Sequence, residues 1–467
     1  MNAALQLPPM DRLAHLAQVV GGRLVGADAG FAGLGNDTRK LQPGELYVAL
    51  SGARFDGHDF VAQAAQLGAA GALVERALPL PLPQVVVPDA LRALQDYAMH
   101  WRGRFDIPVI GVTGSNGKTT TKEMLAAIFA RRGPVLATVG NLNNHIGVPL
   151  TLLRLRAEHQ AAIIEMGANH QGEIAVLTRL ARPGIGVVTQ AGLAHIEGFG
   201  GREGIARGKG ELFAGLAREG LAVINADDAY AGLWRKLAAH CQQLSFGIEQ
   251  PAEVSARDLR EVAAAGRIEF ELVTPQGNAA VELPMLGRHN VMNALAAAAC
   301  ALGAGLSPAE IALGLGAMRS VSGRLVRRAA VQGAQLIDDT YNANPTSLAA
   351  ALEVLAQLPG RHWLVLGDMG ELGAESAEWH RKAGEWARRH GCERLYAVGP
   401  LSRAAVAAFG AGARHFESHV DLATALRGEI GPGVTALIKG SRSMHMEQVV
   451  QALLAPTADA DTASGNH

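Results

Sequence analysis

Apolar positions recur in this chain with two rhythms, and the change from one to the other marks out its organisation. Over the first hundred or so residues the segments are short. Gly44–Leu50 reads as a strand, 58–68 as a helix, and 70–76 and 83–89 as strands. A longer helical pattern follows to Phe105, with Asp89 placed to cap it. No strict strand–helix alternation is visible, so this part is expected to be a small α/β domain.

From Phe105 apolar strands alternate with helices. Ile107–Gly114 precedes a helix over Lys118–Arg131, Ala161–Ala168 one over Glu173–Leu180, Ile185–Ala191 one over Gly204–Leu216, and Leu221–Asp227 one from about Ala229. That rhythm predicts a mostly parallel sheet covered on both faces. The alternating runs 267–275 and 278–286 flank Gln276-Gly277 and predict an antiparallel hairpin. An Ala-rich helix is expected from Asn290, with Asn290 a credible cap, and Ser307-Pro308 should open another. A third block from Arg324 places strands at Gln335–Thr340, His362–Leu366, Arg394–Val398 and Val434–Ile438, the pattern of a second doubly wound unit. The tail 456–467 is polar and small-residue rich, and disorder is expected there.

Composition narrows the picture. A length of 467 residues suggests about three domains, and 49% hydrophobic against 18% charged residues supports large cores. Lys plus Arg number 42 and Asp plus Glu 43, so no bulk field draws the chain to nucleic acid or anionic lipid. Any anion must be held locally. Cys241, Cys300 and Cys392 are too scattered for a zinc or disulfide framework. With no secretory signal and no membrane-spanning stretch in view, a cytoplasmic protein is expected.

The strongest chemical signal is VTGSNGKTT, Val112–Thr120, between an apolar strand and a helix. Gly114 and Gly117 let the backbone around Ser115 and Asn116 curl about phosphate, and the helix N-terminus adds partial positive charge. Lys118 can reach the terminal phosphates, the Thr119 hydroxyl suits Mg²⁺, and Thr120 continues the turn. Val112 stands where the strict pattern opens with Gly. The loop indicates nucleotide binding, but a kinase, a GTPase and a ligase all carry one.

Other residues add possibilities. Glu165 ends a strand, where a carboxylate can hold a hard cation; a turn carboxylate is the plainer alternative. His195 follows a strand beside Glu197, a place where a lone His is ordinarily a loop residue. Lys209 alone would be a helix-surface lysine. Asn290 and Asn293 offer amides that suit an adenine edge or a helix cap. Arg324 could clamp phosphate, and Asp338 and Asp339 end a strand before Tyr341, so one aspartate, chosen here as Asp339, would accept from ribose hydroxyls while Tyr341 packs on the base.

In order along the chain stand TGSNGKTTTKEM, NLNNHIGVPLTLL, IIEMGANHQGEI, AHIEGFG, ARGKGELF, GRHNVMNALAAAA, SGRL, DDTYNANPTS, LGDMGELG and IKGSRS. Together they resemble the Mur ligases of peptidoglycan synthesis over nearly the whole chain. DDTYNANP and GANHQGEI resemble the member that joins D-alanyl-D-alanine to UDP-N-acetylmuramoyl-tripeptide.

The resemblance implies an α/β protein of three domains. These are a small N-terminal UDP-substrate domain (1–104), a central P-loop parallel-sheet domain that binds ATP (105–323) and a C-terminal Rossmann-like domain (324–455). It implies an ATP- and Mg²⁺-dependent ligase with an acyl-phosphate intermediate, acting as a monomer. It makes Thr119, Glu165, His195 and a carbamylated Lys209 metal ligands, and puts Asn293 at the adenine. Asp37, Thr38 and Arg39 would contact the UDP part, while Asn143 and Asn144 line the tripeptide path. Lys439, Ser441 and Arg442 would help hold D-alanyl-D-alanine, and His289 is structural. Three rivals stay open: a folylpolyglutamate-type ligase, disfavoured by NDTRK at 36–40; a nucleotide-switched binding protein, disfavoured by the lack of an NKxD motif; and a kinase.

Overall fold

In the computed structural model, residues 9–52, 55–193, 196–319 and 321–455 are described. The tail 456–467 and His195 lie outside them. Five short strands, β1 (Arg23–Val25), β2 (Leu34–Gly35), β3 (Leu46–Val48), β4 (Gly71–Val74) and β5 (Gln84–Val86), form a sheet ordered β1-β5-β4-β3-β2. Only the β1–β5 pair is antiparallel. Helix α1 (Ala90–Arg102) begins where expected: the Asp89 side chain accepts from the Arg92 N–H at 2.8 Å. Its apolar face, with Leu94, Tyr97 and Trp101, joins a cluster that runs on into Val148, Leu152 and Leu180 of the next domain. The first two domains therefore share a core.

The central sheet holds β6 (Val109–Thr113), β7 (Val135–Ala137), β8 (Ala161–Glu165), β9 (Ile185–Val188), β10 (Leu221–Asn225) and β11 (Gln242–Phe246), all parallel, in the order β7-β8-β6-β9-β10-β11. Val112 is in register with Glu165 and with Val187, so the strands end together at one crevice. Between the strands run α2 (Lys118–Phe129), α3 (Glu173–Ala181) and α4 (Arg202–Ala214). The expected hairpin is present as β13 (Arg267–Thr274) and β14 (Gly277–Leu283). A third strand, β12 (Ser255–Val262), pairs with it through a bulge between Arg257 and Arg260. Its run of exposed residues carries no apolar alternation, which is why the pattern did not reveal it.

One expectation is corrected here. The Ala-rich helix α5 (Arg288–Gly303) starts ahead of Asn290, with Gly287 at the N-cap. Asn290 sits inside the first turns, donating to the Leu286 carbonyl at 2.7 Å. Ser307 does cap its helix, with Glu310 completing a capping box.

The C-terminal sheet is ordered β15-β16-β20-β17-β18-β19, from β15 (Val326–Ala329), β16 (Gln335–Asp339), β17 (Arg361–Gly367), β18 (Cys392–Val398), β19 (Ala413–Phe416) and β20 (Val434–Lys439). Strand β15 is antiparallel and the others are parallel. Because β20 returns between β16 and β17, Asp339 and Lys439 end neighbouring strands in register. This domain has its own apolar clusters on the two faces of the sheet. No helix among the described residues is long and apolar enough to cross a membrane.

Candidate nucleotide and ligation site

Two glycines shape the loop after β6. Gly114 has φ 144° and Gly117 φ 83°, conformations that L side chains rarely adopt. A Cβ on Gly114 would stand 1.9 Å from Thr189 Oγ1, and one on Gly117 2.2 Å from Asn293 Oδ1. The backbone thus passes flush against both neighbours. Gly117 is the N-cap of α2 and no side chain caps that helix, which leaves its first N–H groups to an anion. Ser115, Asn116, Gly117, Lys118, Thr119 and Thr120 all line a cavity of about 690 Å³. Lys118 folds back, donating to the carbonyls of Gly114 (2.7 Å) and Ser115 (3.3 Å). Burial lowers its pKa, and Glu165 opposes that shift.

A hydrogen-bonded chain crosses the cavity floor. Thr119 Oγ1 donates to Glu165 Oε2 and accepts from Arg324 Nη2, both at 2.8 Å, while Asn143 Nδ2 donates to Glu165 Oε1 at 2.9 Å. Glu165 is only 1% exposed, so its charge is answered by these fixed dipoles and by the nearby Lys118. Asn144 also lines the cavity, and its Oδ1 accepts from the N–H groups of Ile146 and Gly147, opening the helix Gly147–Leu152.

These donors fit Mg²⁺, which takes one or two protein oxygens and completes its shell with phosphate and water. Thr119 and Glu165 supply such a pair beside the loop. Among the described residues no cluster of three or more His, Cys, Asp or Glu side chains could hold an ion alone. ATP fits as well: the flush glycine loop is a cradle for phosphate, and Arg324 Nε is buried without a partner beside it.

Lys209 lies next to the cavity. It is 1% exposed, donates to the Ala168 carbonyl at 3.0 Å and stands 4.9 Å above the Phe199 ring. Burial, with help from the Lys118 charge, pushes its pKa down to about 7. A surface lysine would show none of this.

The C-terminal domain forms the opposite wall with Arg324, Asp339, Tyr341, Asn342, Asn344 and Lys439. The Arg324 guanidinium lies 4.2 Å over the Tyr341 ring. Lys439, 2% exposed, is ion-paired with Asp339 and donates to the Asn342 carbonyl at 2.9 Å. Asp338 bonds the neighbouring Thr340 hydroxyl at 2.7 Å. Asn293, with Asn290 Oδ1 at 3.2 Å from its Nδ2, stands on the central wall beside His289, whose pKa burial pushes down to about 4.

The remaining candidates lie elsewhere. Ser441 and Arg442 do not line the cavity with Lys439: Ser441 Oγ pairs with Ser443 at 3.3 Å, and Arg442 reaches Glu447 at 3.4 Å from the surface. Asp37, Thr38 and Arg39 sit on the N-terminal domain. There Arg39 donates to Asp37, holding its carboxyl at about 2, and Thr38 donates to Gln63 at 3.1 Å. One contact was not foreseen. Asn344 Nδ2 donates to Asn116 Oδ1 at 2.7 Å, from the C-terminal domain to the phosphate loop.

Comparison with known proteins bears on this arrangement. Three family models match in succession: "Mur ligase family, catalytic domain" over residues 30–110, "Mur ligase middle domain" over 112–301 and "Mur ligase, glutamate ligase domain" over 323–442. The UDP-N-acetylmuramoyl-tripeptide–D-alanyl-D-alanine ligase of Escherichia coli K12 is 45% identical over 444 residues, covering 94% of this chain and 98% of its own. The Bacillus subtilis ligase of the same name is 37% identical, with 90% and 93% covered. A crystal structure of MurF from Acinetobacter baumannii matches with a TM-score of 0.88 at 37% identity, over 96% of this chain and 99% of that one. Thermotoga maritima MurF in complex with ADP matches at 0.78 and 28%, over 90% and 96%. With three consecutive domain models and near full-length relatives in agreement, the chain belongs to the Mur ligase family.

Proposed function

We propose that this protein uses ATP to join D-alanyl-D-alanine to the carboxyl end of UDP-N-acetylmuramoyl-tripeptide, giving the pentapeptide precursor of peptidoglycan. The observation that carries the reading is a single cavity. It holds a phosphate loop, a strand-end carboxylate bonded to an asparagine of the loop Asn141–Asn144, and the Arg324, Asp339 and Lys439 wall of a second domain. Near full-length likeness to ligases of that name supports the choice of substrates.

The chemistry follows from the carboxylate. It is a poor electrophile with a poor leaving group, so an amine does not condense with it in water. Attack of the carboxylate oxygen on the terminal phosphorus of ATP releases ADP and leaves an acyl phosphate. Here the loop amides and Lys118 spread the charge of the transferring group, and Arg324 adds a planar donor from the other wall. The amine of D-alanyl-D-alanine then attacks the acyl carbon, and inorganic phosphate departs with the electrons of the broken C–O bond. Asn143 and Asn144 orient the peptide end, Asn293 and Tyr341 take the adenine, and Asp339 takes the ribose. Asp37, Thr38 and Arg39 anchor the distant UDP. Closure of the domains keeps water from the acyl phosphate.

Thr119 and Glu165 would hold Mg²⁺, which when bound neutralises charge between ATP and the approaching carboxylate. His195 and Lys209 would serve a second ion. For that role Lys209 reacts as a neutral amine with carbon dioxide, forming an N–C bond and releasing a proton to leave a carbamate. Its pKa, pushed down to about 7 by burial, supports this by making the neutral amine accessible near neutral pH. The protein would act as a monomer in the cytoplasm.

The test is incubation with ATP, Mg²⁺ and both peptide partners, with mass detection of the product. Pentapeptide with matching phosphate release is expected, and none with free glutamate as the amine. A stable phosphorylated product without amide would indicate a kinase. ATP turnover indifferent to both partners would indicate a nucleotide switch.

A further inference from the structure

A buried cation outside this mechanism has a place in it. Lys122 lies one turn beyond Thr119 on α2 and is 2% exposed. Its Nζ donates to the Thr138 carbonyl at 2.6 Å and pairs at 2.7 Å with Glu123, whose side chain is 41% exposed. Burying an ammonium is costly, and an apolar side chain at the same helical position would pack without that penalty. Lys122 therefore needs a reason beyond filling space.

Its partner supplies one. Thr138, 1% exposed, follows the last residue of β7, where the chain turns towards Asn143 and Asn144. Its N–H donates to the Ile163 carbonyl at 3.1 Å, and its Oγ1 accepts from the Glu165 N–H at 3.0 Å. One residue thus receives Lys122 on its carbonyl and holds the backbone of Glu165 with its hydroxyl. Glu165 returns to the same helix through Thr119 at 2.8 Å. The ring closes: Lys122, Thr138, Glu165, Thr119, and back along one turn of α2.

We infer that Lys122 is a positioning residue for the ligation site. Through Thr138 it fixes the ends of β7 and β8, so that the Glu165 carboxylate meets Thr119 on one side and Asn143 on the other. It touches no reacting atom. Strands β7 and β8 are held at their carboxyl ends by a side chain from the phosphate-loop helix, which couples the peptide-side loop to the nucleotide-side loop. The catalytic consequence rests on the function proposed above; the structural consequence does not.

Two pairs of variants test this. Lys122→Met keeps the stem and removes the donor, whereas Lys122→Arg keeps a donor. Thr138→Val removes the hydroxyl, whereas Thr138→Ser keeps it. Amide hydrogen exchange on the ligand-free protein reads the positioning directly. In Lys122→Met, peptides spanning 138–144 and 163–167 should exchange at least tenfold faster, with 185–188 unchanged. With substrates, Lys122→Met and Thr138→Val should each raise the Mg²⁺ concentration for half-maximal rate at least tenfold and lower kcat, with the KM for ATP within threefold. Lys122→Arg and Thr138→Ser should recover most of both. The double variant should be little worse than either single one. Unchanged exchange in the two segments overturns the inference, as does parental Mg²⁺ dependence in a folded Lys122→Met. If that variant does not fold, Thr138→Val decides alone by the same two readouts. If the parent forms no pentapeptide, the proposed reaction fails while exchange still judges Lys122.

Discussion

Arg324 Nη2 donates to Thr119 Oγ1 over 2.8 Å, so the C-terminal domain reaches the hydroxyl proposed to meet Mg²⁺. That hydroxyl also donates to Glu165, and its second lone pair stays open to a cation beside the guanidinium. Held over Tyr341, the guanidinium keeps further donors, Nε among them, that would meet phosphate from this position.

This makes the planarity of Arg324 important. Lysine carries the charge but cannot stack on Tyr341 and present forked donors together. Arg324→Lys is expected to lower kcat at least tenfold, about 1.4 kcal/mol in the barrier, with ADP affinity changed less than threefold. Steady-state rates with calorimetric titration of ADP check this, and parental kcat would refute it.

Lys118 tests the loop itself. Lys118 is half-buried on the cavity wall and desolvation there lowers its pKa, so the folded chain gains little from the charge. Lys118→Met leaves the carbonyls of Gly114 and Ser115 without that donor, but it also relieves a desolvated cation. We expect net stability to change by about 1 kcal/mol or less, a shift of a few degrees in Tm, while product formation falls below detection. A variant that unfolds, or one that still turns over, would contradict the role given to Lys118.

The pH dependence of stability isolates Lys209. Its pKa drops from 10.5 in the unfolded chain to about 7 in the folded one. Across that window the unfolded chain binds more protons, so stability rises with pH between them, and below about 7 the folded state carries the full cost of a buried ammonium. In carbon dioxide-free buffer the parent Tm should climb from pH 7 to 9 relative to Lys209→Met, whose curve lacks this contribution. Parallel curves would show that the amine is not depressed. Lys209→Ala should also lose activity that short carboxylic acids partly restore; no restoration would leave the carbamate reading without support.

Part of this site is legible in the sequence for local reasons. A strand, a glycine loop and a helix start are neighbours along the chain, so Gly114–Thr120 could be found without knowing the fold. Glu165 could be placed at a strand end because apolar runs in parallel sheets finish at the ligand crevice. Other features depend on contacts between distant segments. The burial of Lys209 and Lys122 comes from segments outside their own helices, the Ala168 carbonyl and Phe199 ring for one and the Thr138 carbonyl for the other, and each reads as an ordinary surface lysine on its own helix. The separation of Lys439 from Ser441 and Arg442 arises where the chain leaves β20, since only the strand's last residue faces Asp339. Strands β7 and β19 are too short to show a period. Gly287 displaced Asn290 as a cap because its φ of 90° suits the sharp entry to α5 better than any side-chain acceptor.

Asn344 allows two roles of one side chain to be separated. Its Oδ1 caps the helix Pro345–Ala356 by accepting from the Ser347 N–H at 2.9 Å, while its Nδ2 donates to Asn116 Oδ1 at 2.7 Å across the domain boundary. Asn344→Asp retains an acceptor for the cap, where a carboxylate is as good as an amide. It removes the short donor to Asn116 Oδ1 and leaves only the longer return bond, in which Asn116 Nδ2 donates to Oδ1 of residue 344 at 3.4 Å. Helix and fold should survive, with Tm within a few degrees of the parent. The C-terminal wall should seat less readily on the phosphate loop, and kcat should fall about tenfold, a barrier change near 1.4 kcal/mol. Asn116→Asp in the same background adds a second negative charge and should worsen the defect. Asn344→Ala loses both bonds and should lower Tm further than Asn344→Asp, by about 1 kcal/mol of lost capping. Parental kcat in Asn344→Asp would mean that the amide pair is a bystander and that closure is held by other contacts across the boundary, such as Arg324 on Thr119 and the Leu193 N–H on Thr346 Oγ1.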